Sequence, residues 1–520
     1  MTETASRRTG RNTRRPTGAP DTRDTPGGRG AALRGRPWLT AITLSLAAMM
    51  VSLDSTIVAV AQPVMQARLG ASLAEMQWVT NGYLLAVAVL LIVAGRMGDL
   101  FGHRRVFVVG TVGFTLASAA IGFSQGIGSV IAFRVLQGVF GALMQPATLA
   151  LIMKAFPEER INAALAARSS VIAVSMALGP IAGGLIVHYA SWQLAFLINV
   201  PLGALTLLLA FLVLREVREA GAARSWDLPG VGLLSTALCA LIWGLTAVSD
   251  AGWTDSGVLV PLGLALASGG CFVAWERRAP HPVVPMELFR SRLLSVGVLL
   301  LVVNAFSLFG ATFFLSFSLQ HVRGLTAVES GLQVLPLTVT MVLGAPFAAM
   351  AISRVGPRIP AALGMLVNAV ALYGISRAGA DGGGALGVWL FVMGLGFSPI
   401  MVGATKLVMH SAPEGSSGVA GGIQQTAMQV GGSLGTAALG ALMGSCVRDV
   451  LSRDGHWSGA ALDRAVQSVS VGLPAPGGPA SVARTAFEAG MSTALTVTAL
   501  VALCAGALAL TAGRGAGRKA

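Results

Sequence analysis

The chain has 520 residues, of which 54% are hydrophobic and only 11% charged, with a mean hydropathy of +0.73. A soluble domain carries about 25% charged residues, so that class is excluded. The net charge of +14 is spread beside apolar runs rather than gathered on one surface, which argues for a membrane topology signal and against a nucleic-acid partner.

Residues 1–37 form an Arg/Thr/Gly/Pro-rich tail with nine Arg and almost no large apolar side chain. Such a segment cannot bury a core and is expected to be disordered. It is not a secretory leader, because the apolar run that follows is too long and lacks a small-residue cleavage site. From Trp38 onward, apolar runs of about 20 residues recur, the length of a membrane-crossing helix. Fourteen are predicted, centred near residues 49, 87, 115, 141, 177, 203, 238, 266, 306, 341, 367, 397, 431 and 500. They are continuously apolar rather than alternating, so they read as helices and not as barrel strands. Loops bearing Arg104/Arg105, Lys154/Arg160, Arg215/Arg218/Arg224, Arg277/Arg278/Arg290/Arg292 and Arg354/Arg358 alternate with loops poor in cations. Positive charge beside spans marks the cytoplasmic side, which places both termini there.

The spans divide as six, two and six. Residues 38–214 are expected to form an N-terminal six-helix bundle, 215–280 a linker with two extra transmembrane helices, and 281–512 a C-terminal six-helix bundle, followed by a basic tail at 513–520. Within the last bundle, 446–488 reads as a long extracellular loop, Gly/Pro-rich near Gly472–Ala480 and expected to be a flexible cap. The fold class is therefore an all-α polytopic membrane protein with 14 transmembrane helices.

Charge inside a span is costly and points to function. Asp54, in Leu53-Asp54-Ser55-Thr56-Ile57-Val58, is the acid well inside a first-half span, and Arg134 lies inside the fourth. At about 1.5 Å per residue, Asp54 stands roughly 24 Å along its helix and Arg134 roughly 10 Å from the outer face, so the two can meet. A purely structural ion pair is the rival reading, although buried pairs often gain nothing over apolar packing. In a low-dielectric cavity, burial favours the neutral acid and a neighbouring Arg favours the carboxylate, a balance suited to loading and releasing a proton.

Between the second and third spans runs Gly95-Arg96-Met97-Gly98-Asp99-Leu100-Phe101-Gly102-His103-Arg104-Arg105. This is a tight cationic turn carrying one acid, and Arg354-Val355-Gly356-Pro357-Arg358 repeats it in worn form. The fifth span holds Gly179-Pro180-Ile181-Ala182-Gly183-Gly184, where small residues permit close helix approach and Pro loosens a backbone bond. Uncharged polar residues predicted inside spans, Asn81, Gln145, Asn304, Gln425 and Gln429, are candidate substrate contacts, although most such amides join helices. No P-loop is present, since none of Lys154, Lys406 and Lys519 precedes a hydroxyl residue. The four cysteines show no CxxC spacing, and no metal site or enzyme constellation is evident.

These motifs resemble the major facilitator superfamily, and the two extra central helices resemble its 14-helix drug:proton antiporter branch. Gly95, Asp99, Gly102, Arg104 and Arg105 fall on the family's signature loop, which implies a conformational latch. Leu53-Asp54-x-Thr56-Ile57-Val58 matches a helix-1 motif whose acid is implicated in coupling, and Arg134 with Gly138 matches a helix-4 motif linked to proton transfer. Ala59 and Gln62 stand where Asn and Leu are common. Gly179, Pro180, Gly183 and Gly184 match an element typical of antiporters, and Trp192 to Pro201 also resembles the branch, with Gln193 and Leu194 departing from it. The resemblance implies a monomeric, proton-coupled antiporter in a bacterial cytoplasmic membrane, exporting lipophilic drugs or metabolites with no cofactor beyond the proton gradient. A transporter of one dedicated metabolite, and a non-transporting receptor or scaffold, are the alternatives.

Overall fold

The computed structural model describes residues 35–216, 227–280, 282, 284, 286–378, 383–410, 417–475 and 478–511. The expected basic tails, 1–37 up to residue 34 and 513–520, lie outside the described residues, as does most of the break after Arg215.

Each of the fourteen apolar runs lies in a helix. The first half comprises α1 (Pro37–Leu69), α2 (Leu73–Phe101), α3 (His103–Gly122), α4 (Ile127–Ala155), α5 (Glu158–Tyr189), the single turn α6 (Leu194–Leu197) and α7 (Asn199–Val213). The central pair is α8 (Leu228–Ala251) and α9 (Ser256–Glu276). The second half comprises α10 (Arg292–Phe317), α11 (Ala327–Val355), α12 (Arg358–Arg377), α13 (Gly383–His410), α14 (Ser417–Asp454), α15 (Gly459–Ser470) and α16 (Ala480–Thr511). Among the described residues, thirteen segments are long and apolar enough to cross a membrane, counting α6–α7 as one. Helix α2, with 29 residues and the run Leu84–Ala94, supplies the fourteenth.

Local chemistry sets the boundaries. Capping boxes of Ser72 with Glu75 and Thr326 with Glu329 start α2 and α11. Asp227 and Asp255 accept backbone N–H bonds at the starts of α8 and α9. Gly70, at φ 63°, ends α1 in a left-handed turn that disfavours a Cβ.

The segment expected as a long loop at 446–488 is largely helical. Helix α14 continues to Asp454, α15 is strongly amphipathic, and α16 begins at Ala480. The apolar face of α15 buries Ala465, Val466 and Val469 while its other face carries Asp463 and Arg464, and Trp457 is buried beside it. That periodicity is a helical signal that Gly/Pro content alone obscures.

Gly35 N–H donates to the Val213 carbonyl at 2.9 Å, and Arg358 Nε to the Ala509 carbonyl at 2.6 Å. These contacts join the start of α1 to the end of α7 and the start of α12 to the end of α16; the up-and-down alternation of the spans puts all four ends on one face, here the termini face. On the opposite, far face the two halves join. Gly331 of α11 lies against the Pro180 carbonyl, and a Cβ on Gly184 would meet the Ala327 carbonyl at 2.6 Å. Gln77 Nε2 donates to the Thr436 carbonyl at 2.8 Å, Thr436 Oγ1 donates to Asn81 Oδ1, and Gln320 Nε2 donates to the Val60 carbonyl at 2.9 Å. The central pair covers the α2–α14 seam: Leu85, Ile242 and Ala437 form one apolar cluster, and Trp78 stacks edge-on with Trp243 at 5.8 Å.

Candidate functional site

Asp54 stands on α1 with an exposure of 0% and Arg134 on α4 with 2%, so neither charge reaches water. Burying one such charge alone costs several kcal/mol, and the surroundings answer that cost. Arg134 Nη1 donates to Asp54 Oδ2 at 2.7 Å and also faces Gln137 Oε1 at 2.7 Å. Asp54 Oδ1 accepts from Gln137 Nε2 at 3.0 Å and from Asn199 Nδ2 at 2.8 Å. Arg134 Nε donates to the Val79 carbonyl of α2 at 3.1 Å. Its guanidinium lies over the Tyr83 ring at 4.4 Å and near Phe196 at 5.7 Å. Ser118 of α3 extends the network, accepting from Asn199 at 3.0 Å and donating to the Phe196 carbonyl at 2.8 Å.

Donors from α4 and the α6–α7 corner thus converge on the α1 carboxylate, and groups of α2 and α3 hold those donors in place. Charge-assisted bonds of this kind are shorter and stronger than neutral ones, and the low dielectric couples them. A small cavity opens between the halves beside the pair, lined by Ser55, Ala59, Gln62 and Arg134 on one side and Phe309 and Thr312 on the other. A solute or proton entering that space would reach the site through Arg134.

The structure brings Asp54 and Arg134 together as the depth argument expected. It adds Gln137, Asn199, Tyr83 and Ser118, which the sequence did not single out. Gln137 was within reach of sequence reasoning, since it lies three positions after Arg134 on the same helix face. Asn199 had no such signal, because its α6–α7 corner meets α1 only through tertiary packing.

The signature loop closes the α2–α3 junction on the termini face. Gly102 adopts φ 101°, which an L side chain resists, and serves as both the end of α2 and the start of α3. Glu216 accepts the Arg104 backbone N–H at 3.1 Å and lies 3.6 Å from Arg105 Nε. Arg104 also rests over Phe211 at 5.7 Å. Arg104 and Arg105 thus contact Phe211 near the end of α7 and Glu216 just beyond it. Gly95 stands in α2, and the Asp99 side chain lies outside the described residues.

The glycines of α5 serve two contacts. A Cβ on Gly183 would meet Ile57 Cα of α1 at 3.1 Å, and Gly179 faces Thr56; Pro180 and Gly184 face α11. Helix α5 runs unbroken through Pro180.

Of the candidate substrate contacts, Asn81 is committed to Thr436. Asn304 is buried in α10 with neither amide atom partnered among the described residues. Gln145 and Gln425 are partly buried and Gln429 is buried. Gln425 lies about two turns before Gly432, hence on the same helix face, and Gly432 approaches Leu84 of α2 and Phe309 of α10. No cluster of three or more potential metal ligands occurs among the described residues.

Two repeated six-helix halves, joined at one face, with a buried Asp–Arg pair inside one of them, define a polytopic membrane protein of the transporter class. The sequence model of the Major Facilitator Superfamily matches residues 44–436, and the chain belongs to that superfamily. It is 46% identical over 513 residues to the tetracenomycin C resistance and export protein of Streptomyces glaucescens, covering 94% of this chain and 95% of that one. It is 31% identical to the methylenomycin A resistance protein of Streptomyces coelicolor, covering 82% and 90% of the two chains. A solved bacterial homologue of the human lysosomal transporter Spinster, in an inward-facing and unoccupied conformation, superposes with a TM-score of 0.66 at 16% identity, covering 92% of this chain and 97% of that one.

Proposed function

We propose that this chain is a proton-coupled antiporter of a bacterial cytoplasmic membrane, exporting lipophilic antibiotics or related metabolites by alternating access. Both termini are cytoplasmic, the far face is extracellular, the unit is a monomer, and the proton gradient replaces any cofactor. The chain performs transport and no covalent chemistry. The observation that carries the reading is the fully buried Asp54–Arg134 pair beside a cavity between the halves. Two relatives named for antibiotic resistance, one of them also for export, support the direction and class of cargo.

In the present state the far face is sealed by the α5–α11 and α2–α14 contacts. Substrate enters from the cytoplasm and reaches the cavity beside Arg134, with Gln425 and Gln429 on the opposing half offering hydrogen bonds and Gln145 and Asn304 as further candidates. Competition for Arg134 between substrate and the Asp54 carboxylate links cargo to proton: one is held while the other is released. The α5 element Gly179, Pro180, Gly183 and Gly184 is the surface on which the second half rolls. The loop of Gly95, Asp99, Gly102, Arg104 and Arg105 exchanges partners when the cytoplasmic side closes.

The test is drug susceptibility in a bacterial host stripped of its own pumps, using tetracenomycin C, methylenomycin A and ethidium. The native chain is expected to confer resistance that a protonophore abolishes, and Asp54→Asn at matched membrane level is expected to lose it. Full resistance in the variant would remove Asp54 from the mechanism. No resistance to any compound would replace drug export with transport of a dedicated metabolite.

A further inference from the structure

We infer that the α2 segment Gln77–Asn81 is a lock, holding the carrier closed at the far face while it is loaded with neither proton nor substrate. It rests on the proton-coupling reading above and names residues outside the charged pair.

Three contacts carry it. Arg134 Nε donates to the Val79 carbonyl at 3.1 Å. Gln77, two residues before Val79, donates through Nε2 to the Thr436 carbonyl at 2.8 Å. Asn81, two residues after it, accepts from Thr436 Oγ1. One turn of α2 is therefore gripped on one side by the arginine of the ion pair and on the other by α14 of the opposite half. There is no slack between α4 and α2, since a Cβ on Gly138 would touch the Tyr83 carbonyl at 2.5 Å. Helices packed at that distance transmit a shift rather than absorb it. Gln77, Asn81 and Thr436 are all buried, so their bonds form without competition from water.

Antiport requires one prohibition: an empty, unprotonated carrier must not change face. In that state Asp54 is a carboxylate and holds Arg134, Arg134 holds the Val79 carbonyl, and α2 stays seated on Thr436. Protonation of Asp54, or a substrate group that competes for Arg134, dissolves the ion pair. The guanidinium then leaves the Val79 carbonyl and the turn carrying Gln77 and Asn81 can part from α14. Both permitted cargoes thus release the same lock. Among the described residues, the titratable and charged groups facing Asp54 are Arg134 and Tyr83.

A lock of this kind has a signature in proton flux. If it is broken, the empty carrier shuttles, and protons cross without substrate. The full chain is reconstituted in liposomes with a pH-sensitive dye inside and a proton gradient imposed, with no drug present. Native and Thr436→Ser vesicles are expected to stay tight. Thr436→Val and Gln77→Leu are expected to leak faster by roughly two- to tenfold each, the range one hydrogen bond supplies. Adding Asp54→Asn to Thr436→Val is expected to stop the leak. Vesicles of Thr436→Val as tight as native, or a leak that survives Asp54→Asn, would overturn the lock. Should Thr436→Val fail to fold, Gln77→Leu carries the same comparison alone. Failure of the underlying reading is separate: native vesicles would then show no proton movement when drug is added.

Discussion

The two six-helix halves share an architecture but differ in what they bury at equivalent helices: α1 carries an acid paired with an arginine, and α10 carries a neutral amide. In the first half, Asp54 and Arg134 are completely enclosed, and Gln137, Asn199 and the Val79 carbonyl complete their bonding. In the second half, Asn304 lies buried on α10, the counterpart of α1, with neither amide atom partnered among the described residues, and the Asn368 amide nitrogen is likewise unpartnered. A charge persists inside a membrane protein only where its whole shell is built, whereas a neutral amide is tolerated half-satisfied. That contrast is why the proposed coupling site is placed in the first half.

Substitutions can break this comparison. The largest effect is expected for Asp54→Ala, which strands the Arg134 cation: a loss of about 3–5 kcal/mol, read as a lower melting temperature of the purified protein, together with loss of export. Gly184→Leu comes next. Its side chain enters the space of the Ala327 carbonyl, and overpacking of about 1–3 kcal/mol is expected to prise the far face open. Cysteine labelling at Ala67 and Arg377 measures that opening as a lengthened spin–spin distance.

The remaining changes sharpen the contrast. Asn199→Ala removes one donor to Asp54 and is expected to cost about 1–3 kcal/mol, because a buried carboxylate oxygen loses a partner. Asn304→Leu in the second half is expected to be neutral or stabilising in the same melting assay, since no bond among the described residues is lost. If Asn304→Leu destabilised as much as Asn199→Ala, the asymmetry between halves would fail. Glu216→Ala is expected to change stability by less than about 1 kcal/mol, because its partner Arg105 is 66% exposed.

Much of this was legible in the sequence, for identifiable reasons. Continuous apolar runs and alternating loop charge place fourteen helices, since the bilayer imposes both. Asp54 and Arg134 stand out because charge in a span is rare. The amides around them do not, because Gln and Asn recur throughout the chain and only tertiary packing brings Asn199 to the carboxylate. Asn81 illustrates the same limit: its polarity marks a buried role, but Thr436, 355 residues away, decides that the role is a contact between halves. The helix α15 was hidden for another reason, as Gly/Pro-rich flanks masked its short amphipathic stripe.

The most direct measurement is proton release from purified protein in weakly buffered detergent, followed with a pH indicator as an exported drug is added. If Asp54 carries the proton that substrate displaces, the native protein acidifies the solution on drug addition and Asp54→Asn binds the drug with no acidification. Equal proton release from the variant, at equal drug binding, would contradict a coupling site at Asp54.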